Sequence, residues 1–463
     1  MTPSPKLLRV ARRLLLGLAS ILTAVALFVT VENWRGDRAW ATARADLSAR
    51  GEPILLAELA PAQIANEVNF LQTPRLVRVL FAPADGGEAS TPAEIELLNF
   101  RDTGRVLAGQ MTVAALHDVL TKRGLITGPS SPSPASEVLG VLGVLTPFTP
   151  LFHDLRLAAE ERPLAALTRA GPIGTVRLID ASRIFSIAQF QALRARLLLD
   201  LQRPTEARAD VFALQRLGSA LASRPDPIMH FLVGLAIHET AAGVINEGCR
   251  RHAWADADLA KFNRELESLN PLAGLNHALL SERANLLSWI DAPVGQPTPP
   301  PWLFHGWRQH NKLELCARFD REIFAAISLT TRRVFPDRLS TALHIKPSAL
   351  TTFLHPFQWL SSFVMPNLEG IILNVARNAD ELTLSQTSWA LERHRLAHGA
   401  YPATLDDLSP SFLSGDPRGV FDGHRLGYEQ LPNGDRRLSS CGPNSRDEHG
   451  EGDDVVLLMP GGT

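Results

Sequence analysis

Leu14 to Val31 is an apolar run of eighteen residues without a charge, and as a helix it spans about 27 Å at about 1.5 Å per residue. That length crosses a bilayer. Lys6, Arg9, Arg12 and Arg13 precede the run and Glu32 follows it. The bias of cations toward the cytoplasmic side therefore places the N-terminus inside and the chain after Trp34 outside. A cleaved signal peptide is the competing pattern, because Ala24-Val25-Ala26 supplies a small-x-small site. Leu27-Phe28-Val29-Thr30-Val31 stays apolar where a cleavage region turns polar, so an uncleaved anchor is expected. Trp34 and Trp40 suit an interfacial belt, with Arg35 and Arg38 reaching head groups; an amphipathic helix packed on its own domain has the same pattern.

Beyond the anchor the pattern changes period several times. Residues 32–127 read as a mixed subdomain, with a helix over Arg38 to Arg50, a strand-like Leu76-Val77-Arg78-Val79-Leu80-Phe81 and a helix over Thr112 to Arg123. Thr127-Gly128-Pro129-Ser130-Ser131-Pro132-Ser133-Pro134 has linker composition. Residues 128–345 then read as helix after helix. Ile187 to Leu201 and Ala207 to Ser223 flank a Pro204-containing turn, as an antiparallel hairpin requires. Phe231 to Glu247 and Asp258 to Leu269 continue the series, with Asp256 as a cap. The series loosely resembles tetratricopeptide-like arrays, although no clean 34-residue period repeats. Ala292 to Pro301 is a Pro-rich loop or polyproline arm, and residues 346–368 form a connector.

The last segment, 369–463, has the sharpest pattern. Ile372, Val375, Ala379, Leu382, Gln386, Trp389, Arg393 and Leu396 alternate three and four apart, which makes one stripe on a helix of about 28 residues ending near His398. Gly399 suits a left-handed cap, and Pro402 opens a short helix whose Leu405 and Leu408 point back at the long one. Asp422-Gly423 and Asn433-Gly434 mark tight turns between short strands. The fold class expected for the whole chain is mainly α, with a smaller α+β part made of a long helix on a small antiparallel sheet.

Composition supports that class and excludes others. Hydrophobic residues are 45% and charged residues 20% of 463, enough for several domains with cores of their own. Lys plus Arg is 46 and Asp plus Glu 48, a net charge of -2, which gives no electrostatic reason to bind nucleic acid. Cys249, Cys316 and Cys441 are too few and scattered for a disulfide framework. They read as buried inert thiols, with Cys249–Cys316 the one pairing open. His238-Glu239 invites a zinc-protease reading, but the position one turn on is Ala242. His230, His252, His305 and His310 are scattered polar residues, and Ser281-Glu282-Arg283 reads as part of an intrahelical or interhelical ion pair. No nucleophile elbow, phosphate loop or dinucleotide fingerprint occurs. No enzyme, small-molecule substrate or nucleic-acid partner is expected; the alternative is an extracytoplasmic hydrolase using His238, Glu239 and Glu282.

Two resemblances add to this. Glu32 to Trp40 resembles a stretch in uncharacterised bacterial membrane-anchored proteins, without implying a function. Tyr401-Pro402 after the long helix, the Asp416-Pro417 and Asp422-Gly423 turns before an aromatic strand, and Ser440-Cys441-Gly442-Pro443-Asn444 leading to paired aspartates resemble the globular end of the major pseudopilin of type II secretion. In that family the last loop commonly binds calcium, and the matching residues are Ser440, Asn444, Asp447, Asp453 and Asp454. Five carboxylates among the eight residues from Asp447 to Asp454 agree, because close carboxylates repel unless solvated or bridged by a hard cation. Arg12 to Gly17 stands where that family carries its peptidase site, its registry glutamate is missing, and Asn444-Ser445 replaces the more usual Asp-Gly. A filament subunit does not follow. The resemblance and the anchor together imply a single-pass protein of the bacterial inner membrane, its bulk periplasmic, with a structural or interaction role near secretion or pilus-like machinery.

Overall fold

The computed structural model describes residues 5–59, 64–80, 102–126, 133–165, 181–222, 228–291, 305–339 and 368–461. The Gly/Pro/Ser linker before Ser133, the Pro-rich stretch 292–301 and nearly all of the 346–368 connector lie outside them. The described chain is mainly helical with a three-stranded antiparallel sheet near its C-terminal end. It divides into two compact units, one made of 1–59, 280–325 and 339–368, the other of 60–279, 326–338 and 369–463.

The first unit is built on α1, Pro5–Ala49, a single helix of 45 residues. The apolar run and the helix expected over Arg38 to Arg50 are therefore one element. No Pro or Gly pair interrupts it after Val31, and Gly36 serves packing. Over its N-terminal part Leu14, Leu15, Ile21, Leu22, Leu27 and Phe28 are all exposed, and the helix is long and apolar enough to cross a membrane. Its C-terminal part lies on α12, His305–Arg318. The two backbones meet at glycines, since a Cβ on Gly36 would stand 2.9 Å from Gly306 Cα. Asn33 Oδ1 accepts from Gly306 N at 2.7 Å and Asp37 Oδ1 meets His305 Nε2 at 2.6 Å. Trp40 lies under Lys312 Nζ, 4.7 Å from its ring centre, whereas Trp34 is exposed. At the far end the fully buried Arg283 of α11, Pro271–Asp291, donates to Glu52 Oε2 at 2.6 Å. The ion pair expected of Ser281-Glu282-Arg283 is thus between elements.

The second unit holds α2 (Pro74–Leu80), α3 (Asp102–Leu107), α4 (Val113–Lys122), α5 (Pro134–Val144), α6 (Thr149–Glu161), α7 (Ala181–Asp200), α8 (Pro204–Ala222), α9 (Ile228–Arg250) and α10 (Asp256–Glu267), then α13 (Glu369–His398). The strand-like run from Leu76 is α2. Pro74 pre-sets φ for a first helical turn, Val77 N donates to Thr73 O, and Leu76 is buried. A short apolar run carries no period that separates strand from helix. Thr112 caps α4 by accepting from Ala115 N at 3.1 Å. The α7–α8 hairpin forms as the spacing predicts, turning through Gln202 at φ 56° with Pro204 opening α8. Helix α10 starts from Ala255, with Asp258 accepting from Ala255 N, and Asp256 pairs with Arg393 instead of capping. Helix α9 is apolar enough to span a membrane, but Ile237, Ala241 and Ile245 are buried in the core shared with α7 and α8.

Helix α13 is buried on two sides. Leu382 and Trp389 of the expected stripe join the main helical core, while Leu384 and Leu391 sit in a second core with Leu405, Leu408, Leu438, Val455 and Met459. A two-residue offset is about 200° around a helix, so the pairs occupy opposite faces. Gly399 takes φ 82° and ends the helix as expected. The sheet runs β3 (Gly427–Gln430), β4 (Arg436–Ser440), β5 (Val455–Met459) in that order, all antiparallel, with Gly434 at φ 88° in the first hairpin. A separate ribbon, β1 (Ile327–Ser328) with β2 (Arg333–Val334), joins the C-terminal part through Val334 N to Val420 O at 3.0 Å.

Candidate functional site

The acidic loop between β4 and β5 is turned by its own carboxylates. Asp454 Oδ2 accepts from Glu448 N at 3.0 Å and Gly450 N at 2.9 Å, Asp453 Oδ2 from Asn444 N at 3.0 Å, and Glu448 Oε2 from Asp453 N at 2.9 Å. Each of the three then brings a carboxylate oxygen within 4.8 Å of the others. Asp453 Oδ1 and Asp454 Oδ1 are buried with no hydrogen-bond partner. Carboxylate oxygens gathered in this way are of the type a hard cation takes as ligands.

Of the five residues inferred from the resemblance, Asp453 and Asp454 meet there. Asn444 contributes its backbone N–H, its side chain accepting from Arg446 N at 2.7 Å. Asp447 is well exposed and accepts from His449 N. Ser440 is buried at the end of β4, its hydroxyl beside Asp380. Glu448 belongs to the acidic run but not to the residues that the resemblance implies; the reversal at Gly450 (φ 79°) and Gly452 (φ 60°) returns it to the aspartates.

Asp454 also lines a groove of about 830 Å³, within the range of small-molecule clefts. One wall is α9, with Glu239, Gly243, Asn246 and Arg250. The floor is α13, with Arg377, Glu381 and Ser385, and the other wall is β5, with Val455, Val456 and Leu457. Side chains alternate across a strand, so three consecutive strand residues line a groove only along the strand's edge. Farther along β5, Leu457, Leu458, Met459 and Pro460 stand with Asn246, Cys249, Arg250 and Ser388 around a separate void of about 10 Å³. Asn246 is fully engaged, donating to Ser385 Oγ at 3.0 Å and accepting from Ser388 Oγ at 3.2 Å and Trp389 Nε1 at 2.8 Å.

The groove's charges are unequal in their partners. Arg196 donates to Val106 O at 2.7 Å, Arg250 pairs with Glu247, and Arg377 donates to Asp453 O at 2.9 Å. Glu239 accepts from Asn378 Nδ2 at 3.2 Å, and the Glu381 carboxylate has no hydrogen-bond partner among the described residues. Burial, and then the charge of Glu239, push Glu381 up to about 7, Arg377 opposing; burial also raises Glu239.

His238, next to Glu239 in sequence, points the other way. It is buried against Gly218, its Nε2 3.2 Å from Ser219 Oγ, and burial lowers it to about 4, so it is a neutral core imidazole. Glu282 belongs to the first unit. Glu239 lines the groove with Glu381, and His238 does not. Cys249, Cys316 and Cys441 are free and buried, and burial raises every one of these thiols, Cys316 to about 11 and Cys441 to about 12. Inert thiols are the result, and the Cys249–Cys316 pairing is absent. No protein-family model, curated protein or solved structure matches this chain.

Proposed function

We propose that this chain is a single-pass protein of the bacterial inner membrane, N-terminus cytoplasmic and bulk periplasmic, acting as an interaction component with a pseudopilin-like C-terminal segment that serves secretion or pilus-like machinery. The observation that carries the reading is α1, one unbroken helix whose first part is apolar and exposed and whose last part is clamped to α12. An anchor continuous with a packed helix holds the remainder at the membrane surface, and the groove with its acidic loop is what the second unit offers to a partner. Calcium bound by Glu448, Asp453 and Asp454 would order a loop whose Asp454 lines that groove.

Alkaline carbonate extraction of membranes, with N-terminal sequencing of the retained protein, tests the anchor. Retention in the pellet with residues before Leu14 intact is expected; a soluble chain beginning after Ala26 overturns it. Calcium titration by calorimetry on the purified full chain tests the loop. Saturable heat in wild type and its loss in Asp453→Asn/Asp454→Asn are expected, and no heat at millimolar calcium sinks the ion.

A further inference from the structure

β5 is the last strand of its sheet, with β4 on one side and no strand on the other among the described residues. Three of its consecutive residues, Val455, Val456 and Leu457, line one side of the groove. An open strand edge presents a row of N–H and C=O groups, a template for another extended chain. Solvated edges are usually blunted by charge, proline or a bulge; Val455-Val456-Leu457-Leu458-Met459 has none of these. The opposite wall on α9 carries Ala242, Gly243 and Val244, and nothing lies within 4 Å of a Cβ placed on Gly243.

The chemistry of the floor and far wall selects among extended chains. The three arginines of the groove are already bound to a carbonyl or to Glu247. Glu239 accepts from Asn378, and among the described residues neither Glu239 nor Glu381 has a cation bonded to it. A side chain projecting from an added strand toward them gains most by carrying a positive charge. We propose that the groove receives an extended peptide segment of a partner protein, added to the sheet as a strand against the free edge of β5, with a Lys or Arg side chain seated between Glu239 and Glu381. This rests on the interaction role proposed above and names the partner's binding segment. Main-chain hydrogen bonds to β5 supply the affinity and the carboxylate pair supplies the choice of side chain, the division of labour known for strand addition. Asp454 lines the groove and links the two sites: a cation on the acidic loop fixes the start of β5 and so the register in which the incoming strand pairs.

The probe is the fluorescent heptapeptide Val-Thr-Val-Lys-Val-Thr-Val, blocked at both ends, titrated by anisotropy against the full chain in detergent micelles. Saturable binding is expected, at least tenfold weaker for the analogue with a central Glu. N-methylation of one alternate set of peptide amides should abolish binding, and methylation of the other set should leave it, because only one set faces β5. This control leaves the protein untouched, so no folding defect can imitate it. Glu239→Gln/Glu381→Gln should remove the preference for central Lys over Gln while keeping the amide pattern. Absence of saturable binding, or equal tolerance of both methylated sets, overturns the proposal. So does a concentration-dependent dimer in sedimentation that the peptide cannot dissociate, which would assign the edge to a second copy of this chain. Membrane anchorage and calcium heat are read separately, so either reading can fail without the other.

Discussion

Asp380 lies on α13, fully buried, and accepts from Val420 N at 2.7 Å. Burial is the main cause that pushes its carboxyl up to about 7; the Val420 N–H and the Ser440 hydroxyl oppose, and the negative charges of Asp422 and Glu381 add to the rise. Because an unfolded Asp titrates near about 3.9, the folded state holds the proton over a wider range. Its contribution to stability is complete below about pH 4 and is lost as pH rises through about 7. In urea unfolding followed at pH 4 to 7, wild type should lose stability toward pH 7 relative to Asp380→Asn. Parallel curves would remove Asp380 as the cause; Glu381, raised in the same window, stays present in both proteins. Nothing in the spacing around Asp380 separates it from the less buried Glu381 beside it. Its burial comes from Val420, forty residues away, which is why one residue read alone does not disclose it.

At the scale of elements, α13 and α9 are joined by a polar knot inside an apolar contact. Asn246 bonds Ser385, Ser388 and the indole of the fully buried Trp389. Asn246→Ala leaves the indole N–H without a partner in the core, at a cost of about 2 to 4 kcal/mol including the lost side chain. The urea midpoint should fall with the slope unchanged; an effect under about 0.5 kcal/mol would mean that water replaces the amide. The period of α13 was legible as a stripe from Ile372 to Leu396, and the Gly399 cap with it. The second stripe, Leu384 and Leu391, was not, because a helix covered on both sides mixes two periods and the first conceals the second. The same holds for α2, where six apolar or basic residues fit strand or helix until packing chooses.

For the whole molecule, α1 couples the membrane segment to the first unit. A chain starting at Glu32 keeps Asn33, Gly36 and Asp37, the residues that meet α12. It should be soluble without detergent and resist proteolysis between 305 and 325 as wild type does. A chain starting at Glu52 loses that packed face and Arg50, the partner of Glu52 and Asp320, and the same region should be cut rapidly under matched protease. Equal resistance in both chains would show that α12 folds without α1.

The amino-acid sequence by itself determined the apolar span, the helix-rich class, the hairpin at Pro204, the α13 stripe and the glycine turns, because each is a local pattern of period or backbone freedom. It also marked the tail as acidic. Tertiary structure alone decided that α1 is one helix, that Glu239 lines a groove with Glu381 and His238 does not, that Glu448 joins Asp453 and Asp454, and that β5 lines the same groove. Those depend on which residues far apart in the chain are packed together, and the burial and pairing created there have no counterpart in local spacing.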